Sequence, residues 1–287
     1  MPHDLPDYAA DPLRRFLECW EACDRLVRMS MQGISMLRGV PRIIEVLEKV
    51  QPSIESANEA LATATDSGRV LSRLEKARAQ AEFAQEECDN GFPLLHAHTL
   101  MGLWGSFEAA IEDMVVGILS NEPELLKRSV IGKVRMSVAE YETLEKDERM
   151  RAVLGEIQRN LGSGVKEGGL GTFEGVLEKI GLAGPVPADL AKTMWEIQNV
   201  RNCLVHRSGV ADRRLITNCP WLNLRIGDSV VVKHDTLSAY SAGMCEYVVV
   251  LARRLGDRYG VDIQARIDAV EKKRGSDGTL DNTAIAL

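Results

Sequence analysis

Apolar residues recur at three- and four-residue steps over most of this chain, which is the signature of amphipathic helices. Leu13, Phe16, Trp20, Cys23, Val27 and Ile34 keep that step over a first long helix, which Gly39-Val40-Pro41 ends. Ile43, Val46, Leu47 and Val50 begin another, stopped near Pro52. From Ser53 to Asn90 large apolar residues thin out in favour of Ala, Glu, Gln, Arg and Lys, so the pattern predicts an exposed helical arm. Asn90-Gly91-Phe92-Pro93 is a breaker, and the strongest helix follows from Leu94 to Leu119, with Leu100, Leu103, Phe107, Ala110 and Met114 on one stripe.

The second half alternates loops and helices. The glycine-rich stretch 162–171 reads as a flexible loop, and Gly184-Pro185-Val186-Pro187 as a stiff one. Leu190, Met194, Ile197, Val200 and Leu204 then mark a helix that Ser208-Gly209 ends. After it the period changes. Leu222, Leu224 and Ile226 alternate, Gly227-Asp228 offers a two-residue turn, and Ser229-Val230-Val231-Val232 resumes, which predicts a small β-hairpin at about 221–232. Leu237, Tyr240, Met244, Tyr247, Leu251 and Leu255 mark a last long helix, and the tail 272–287 is polar. The expected fold is all-α: an antiparallel helical bundle over 91–271 carrying a β-hairpin insertion, preceded by a helical region 1–90 and followed by a flexible tail.

Composition narrows the class. A chain of 287 residues, 45% hydrophobic and 27% charged, has the makeup of a globular protein with a substantial core. The sequence contains neither an apolar run of membrane-spanning length nor a basic-then-apolar leader, so the expected location is the cytoplasm, away from membranes. Its six cysteines form no framework of spacings and are expected to be reduced. The net charge of −7 argues against unspecific nucleic-acid binding through surface charge, although a local basic pocket is compatible with it.

The candidate chemistry lies in Arg201-Asn202-Cys203-Leu204-Val205-His206. At about 100° per residue, Arg201 falls within the apolar stripe of its helix, while Asn202 and His206 lie roughly 100–140° away. A guanidinium on a packing face needs a partner, because an unpaired charge in low dielectric is costly. One explanation is an ion pair with Glu108, Glu112 or Glu196, His206 being a polar residue that favours the helix dipole. The other is a phosphate pocket lined by Arg201 and His206 at a helix seam or a second subunit. On the residues alone the ion pair is the simpler account. Other motifs fail: the 162–171 loop lacks a phosphate-loop pattern, no nucleophile elbow is present, and His96 and His98 point to opposite sides of a helix. No cofactor or metal is expected.

Leu103-Trp104-Gly105-Ser106-Phe107-Glu108, followed about ninety residues later by Arg201-Asn202-x-x-x-His206, a Gly- and Asp-containing hairpin and a closing helix, resembles the HEPN superfamily, whose mark is R-x4-6-H with a polar residue beside the arginine. The resemblance covers roughly residues 94–260. It implies a HEPN-like helical bundle and a metal-independent endoribonuclease acting as a homodimer, of the kind found among toxins and antiviral-defence effectors, with an antitoxin or other regulatory partner. In that reading RNA is the substrate, Arg201, Asn202 and His206 are catalytic, and Glu108 and Glu112 support the pocket. The products are a 2′,3′-cyclic phosphate and a 5′-hydroxyl. The alternative within the same resemblance is a non-catalytic HEPN-like dimeric scaffold, sensor or regulatory subunit.

Overall fold

The structure is a computed structural model that describes residues 4–46, 64–127, 131, 137–161 and 170–268, with the side chains of 64–74, 138, 140 and 141 left aside. Residues 162–169 of the loop expected at 162–171 and the tail 272–287 lie outside these residues. The elements in order are α1 (Asp7–Leu37), α2 (40–46), α3 (Ala64–Asp89), α4 (Pro93–Asn121), a 3-10 turn (Pro123–Lys127), α5 (Val138–Thr143), α6 (Lys146–Arg159), α7 (Gly171–Ile180), α8 (Ala188–Arg207), α9 (Arg213–Asn218), a second 3-10 turn (Pro220–Leu222), α10 (His234–Tyr259) and α11 (263–268). The fold is all-α. No helix among the described residues is long and apolar enough to cross a membrane.

These elements fall into two compact units, one within 1–23, 97–231 and 235–287, the other within 24–96 and 232–234. The larger unit is organised by α4. Its Leu100, Leu103, Trp104, Phe107, Ile111, Met114, Val115, Ile118 and Leu119 are all buried, and residues so placed cover more than one stripe of the cylinder. Such a helix is stable only when other elements surround it. Phe107 is the hub, with ring centroids 5.5 Å from Phe16 of α1, 5.5 Å from Trp104, 5.7 Å from Phe173 of α7 and 5.9 Å from Tyr247 of α10. Three of those contacts are edge-on, the geometry aromatic quadrupoles prefer.

The approach of α1 to α4 has a backbone cause. Pro12 lies inside α1, so the N–H that would bond the carbonyl of Tyr8 four residues earlier is missing. Gly117 of α4 sits against that carbonyl: a Cβ at Gly117 would stand 2.2 Å from the Tyr8 oxygen. A proline and a glycine far apart in sequence thus build one close contact.

In the smaller unit the ends of α1 and α3 are tied by Arg38 Nε donating to Gln85 Oε1 at 3.0 Å and by contact of Ser35 Oγ with Cys88 Sγ at 3.7 Å. The breaker at 90–93 acts as its sequence suggests. Gly91 and Phe92 take left-handed backbone at φ 76° and 59°, and Pro93, which needs no donor there, opens α4. The three-residue segment 232–234 packs here too: the ring of His96, fully buried, bonds through Nδ1 to the carbonyl of Val232 at 3.2 Å and lies 5.5 Å from His234. His98, two residues on, is exposed, as expected for opposite helix faces.

The hairpin expected at 221–232 is not formed, and no strand occurs among the described residues. Pro220 instead starts a 3-10 turn over 220–222, and Asn223 closes it in left-handed backbone at φ 53°. Ile226, one of the alternating apolar residues, is 66% exposed. The extended stretch does find a partner, but an earlier one. Val230 N–H donates to the carbonyl of Gly209 at 2.7 Å, Ala211 N–H to that of Asp228 at 2.8 Å, and Gly227 N–H to that of Ala211 at 2.9 Å. One isolated antiparallel bridge, Val210 to Ser229, results.

Candidate functional site

The motif helix α8 buries Leu190, Met194, Ile197 and Val200 of the expected stripe; Leu204 is half-buried, and Asn199 and Cys203, outside that stripe, are buried as well. Asp189 in the first turn and His206 and Arg207 in the last match the helix dipole at both ends. The stop is a left-handed pair, Ser208 at φ 53° and Gly209 at φ 76°, whose N–H groups both donate to the carbonyl of Cys203. The helix therefore stays regular through Arg207. Unwinding between the two ends of the motif does not occur, and Arg201 and His206 project about 140° apart.

Arg201 has a carboxylate partner. Its Nη2 donates to Glu108 Oε2 of α4 at 3.3 Å, and the two side chains are 24% and 35% exposed. A pair so open to solvent contributes about 0–1 kcal/mol. Against that, Arg201 Nε is buried with no hydrogen-bond partner, and a buried unmet donor costs about 1–3 kcal/mol. The arginine is thus poorly placed as a stability device. Trp104 Nε1, one turn before Glu108 on α4, is likewise buried and unmet. Glu112 does not join this pair; it accepts from Gln158 Nε2 at 3.0 Å. Glu196, the third candidate partner, is engaged by Tyr240 and Trp221.

The other face of α8 opens onto a cavity of about 460 Å³ lined by Asn199, Asn202, Cys203, His206 and Arg207 and, from the following segment, Asp212, Arg214 and Leu215. Asn202 joins the two faces: its Oδ1 accepts from Arg201 Nη1 at 3.1 Å, and the same residue lines the cavity beside His206. Arg201, Glu108 and Glu112 are not among the lining residues. The cavity is shaped by α9, whose N-terminal Asp212 accepts from the N–H of Leu215 at 2.9 Å and from Arg207 Nε at 3.3 Å. Those bonds, that from Leu215 first, hold the Asp212 carboxyl below its ordinary range.

Cys203 and His206 line one cavity and so suggest a thiol nucleophile, which the residues do not support. Cys203 is buried and its thiol donates to the carbonyl of Val210 at 3.0 Å; burial pushes it above its ordinary value, away from thiolate. What remains is acid–base and anion-binding chemistry: an exposed imidazole, two arginines, two primary amides and the Asp212 carboxylate around one cavity.

Asn199, Arg207, Asp212 and Arg214 were not legible as site residues. Asn199 falls inside α8 among apolar residues, Arg207 reads as a basic residue of the last helical turn, and Asp212 and Arg214 come close to His206 only because the Ser208-Gly209 stop turns the chain back. The signal present in the sequence is Asp212 placed to cap a helix two residues before Arg214. Comparisons with family models, with curated proteins and with solved structures give no match to this chain.

Proposed function

We propose that the protein is a HEPN-type, metal-independent endoribonuclease that works as a homodimer. The observation that carries the reading is Asn202, which hydrogen-bonds Arg201 on one side and lines the cavity of His206 on the other, so that the three motif residues form one connected constellation. RNA supplies its own nucleophile, the 2′-hydroxyl. An imidazole exchanges protons near neutral pH, and His206 either takes the 2′-hydroxyl proton or gives one to the departing 5′-oxygen. The 2′-oxygen bonds to phosphorus, the bond from phosphorus to the 5′-oxygen breaks, and a 2′,3′-cyclic phosphate and a 5′-hydroxyl result. Arg201, a forked donor suited to phosphate oxygens, neutralises the charge that builds on phosphorus. In a two-fold dimer Arg201 of one chain faces His206 of the other, and water exchanges the proton that His206 does not. The exposed Val205 and Val210 flanking His206 are suited to such a seam.

The test is incubation of the purified full chain with mixed RNA in excess chelator, followed by analysis of the new ends. Cyclic phosphates with 5′-hydroxyls are expected. Cleavage that needs a divalent ion, or that leaves 5′-phosphates, overturns the mechanism. A second reading, a non-catalytic HEPN-like scaffold or sensor, is favoured by one observation: the pairing of Arg201 with Glu108, which a structural arginine also makes. In either role, an antitoxin or regulatory partner is part of the proposal.

A further inference from the structure

We infer that the cavity beside His206 is a binding site for a nucleotide phosphate and that Arg214 is the residue that grips it; the inference rests on the ribonucleolytic reading for its substrate and extends it to a residue outside the motif. Two arginines line the cavity, and they differ in their partners. Arg207 is committed to Asp212 at 3.3 Å, whereas Arg214, exposed at the cavity wall, pairs with no carboxylate among the described residues. Asp212 neutralises one of the two cations, so one arginine of the lining keeps an unpaired positive charge among the described residues. That charge stands out in a chain of net charge −7.

The neutral groups sort in the same way. Asn199 is held within the fold: its amide NH2 donates to the carbonyl of Trp195 at 2.8 Å and its Oδ1 accepts from Asn218 at 2.7 Å. Asn202 has its Oδ1 occupied by Arg201, which leaves the NH2 as a donor with no acceptor among the described residues. The cavity therefore offers a forked guanidinium, an amide NH2 and an imidazole, all donors and no free carboxylate, which is the complement of a phosphate. A volume of about 460 Å³ accommodates one nucleotide.

The test uses binding, so that it stands apart from cleavage. Uridine 3′-monophosphate, inorganic phosphate and uridine are titrated into the full-length protein in chelator, with calorimetry and circular dichroism on wild type, Arg214→Ala, Arg214→Lys and Arg207→Ala. The nucleotide binds and uridine does not. Arg214→Ala weakens nucleotide binding by at least about tenfold, the loss of a charge-assisted phosphate contact, Arg214→Lys restores part of it, and Arg207→Ala costs less than Arg214→Ala. Inorganic phosphate that binds alone, without added affinity from the nucleoside, identifies a general anion site and overturns the nucleotide assignment. No binding to wild type, equal binding to Arg214→Ala, or uridine binding as well as its phosphate overturns the inference. Binding that is intact in a protein that cleaves no RNA overturns the ribonuclease reading and leaves the site standing.

Discussion

Arg201 of α8 donates to Glu108 of α4 at 3.3 Å, so the cation of the motif is tethered to the central helix, on the far side of α8 from the cavity. That tether makes Glu108 the most informative position for separating a structural arginine from a catalytic one. Glu108→Gln keeps the shape and an acceptor but removes the charge. For a pair this exposed the stability loss should be at most about 1 kcal/mol, a shift of roughly 2–4 °C in the thermal midpoint of a domain of this size. If Arg201 serves only as an ion-pair partner, RNA cleavage is unchanged. The ribonuclease reading expects a lower kcat with little change in KM, because Arg201 is no longer held toward the phosphate. Thermal melts and steady-state cleavage on the same preparation decide it.

Gly117→Ala should destabilise the larger unit although alanine is the better helix former by about 1 kcal/mol. The new methyl would stand 2.2 Å from the Tyr8 carbonyl oxygen, which is backbone and cannot rotate away. Shifting α1 off α4 also disturbs the contact of Phe16 with Phe107. Overpacking of this kind costs about 1–3 kcal/mol, read as a lower urea midpoint at unchanged slope. A midpoint at or above wild type would show that α1 is free to move.

The elements followed from period, and the site did not. Apolar steps of three and four residues mark α1, α4, α8 and α10, because each buries a face against other helices, and the left-handed stops at Gly91-Phe92 and Ser208-Gly209 sit where glycine permits them. The alternation at 222–232 did not become a hairpin: Leu222 closes a 3-10 turn, Asn223 takes left-handed backbone, and only a single bridge forms, from Ser229 back to Val210, since alternation carries no information about which segment will pair. The phase of α8 correctly separated Arg201 from His206. It could not say which of Glu108, Glu112 and Glu196 would pair with Arg201, since all three lie on helix faces and only packing brings one within reach. Arg214 was invisible for a related reason. Its place beside His206 depends on the turn after α8, which composition does not specify.

His96 should make the smaller unit lose stability in mild acid. Its Nδ1 bonds to the Val232 carbonyl, so the neutral ring carries a bare Nε2, which is buried without a partner. A second proton would sit there with no acceptor. Burial, first, and the neighbouring His234 lower its pKa below 6.5, against smaller opposing effects of the Val232 carbonyl and Glu87. The folded state therefore binds the proton less well than the unfolded chain. Stability is full above about 6.5 and falls as the pH drops through that value toward the folded pKa. Hydrogen exchange of residues 81–96 at pH 7.5 and 5.5 should show loss of protection in wild type. His96→Phe should flatten that dependence, and an equal pH effect in both proteins would assign it to other groups.

The last prediction concerns the second chain. In one regular helix Arg201 and His206 point about 140° apart, and α8 stays helical through Arg207, so a single chain does not bring both to one phosphate. A two-fold dimer does, if α8 of each chain lies along the seam, since each site then takes its cation from one copy and its imidazole from the other. Light scattering at low micromolar concentration should give about twice the 31.7 kDa of one chain. Arg201→Ala and His206→Ala should each be inactive as homodimers while keeping wild-type helicity, His206 being exposed and Arg201 half-buried. Mixed after brief dissociation, they form heterodimers in which one of the two shared sites has both residues intact. Random mixing makes half of the dimers mixed, so about a quarter of wild-type activity should return. If each chain carries its own complete site, every site in the mixture lacks one residue and no activity returns; an active monomer would dismiss the shared site outright.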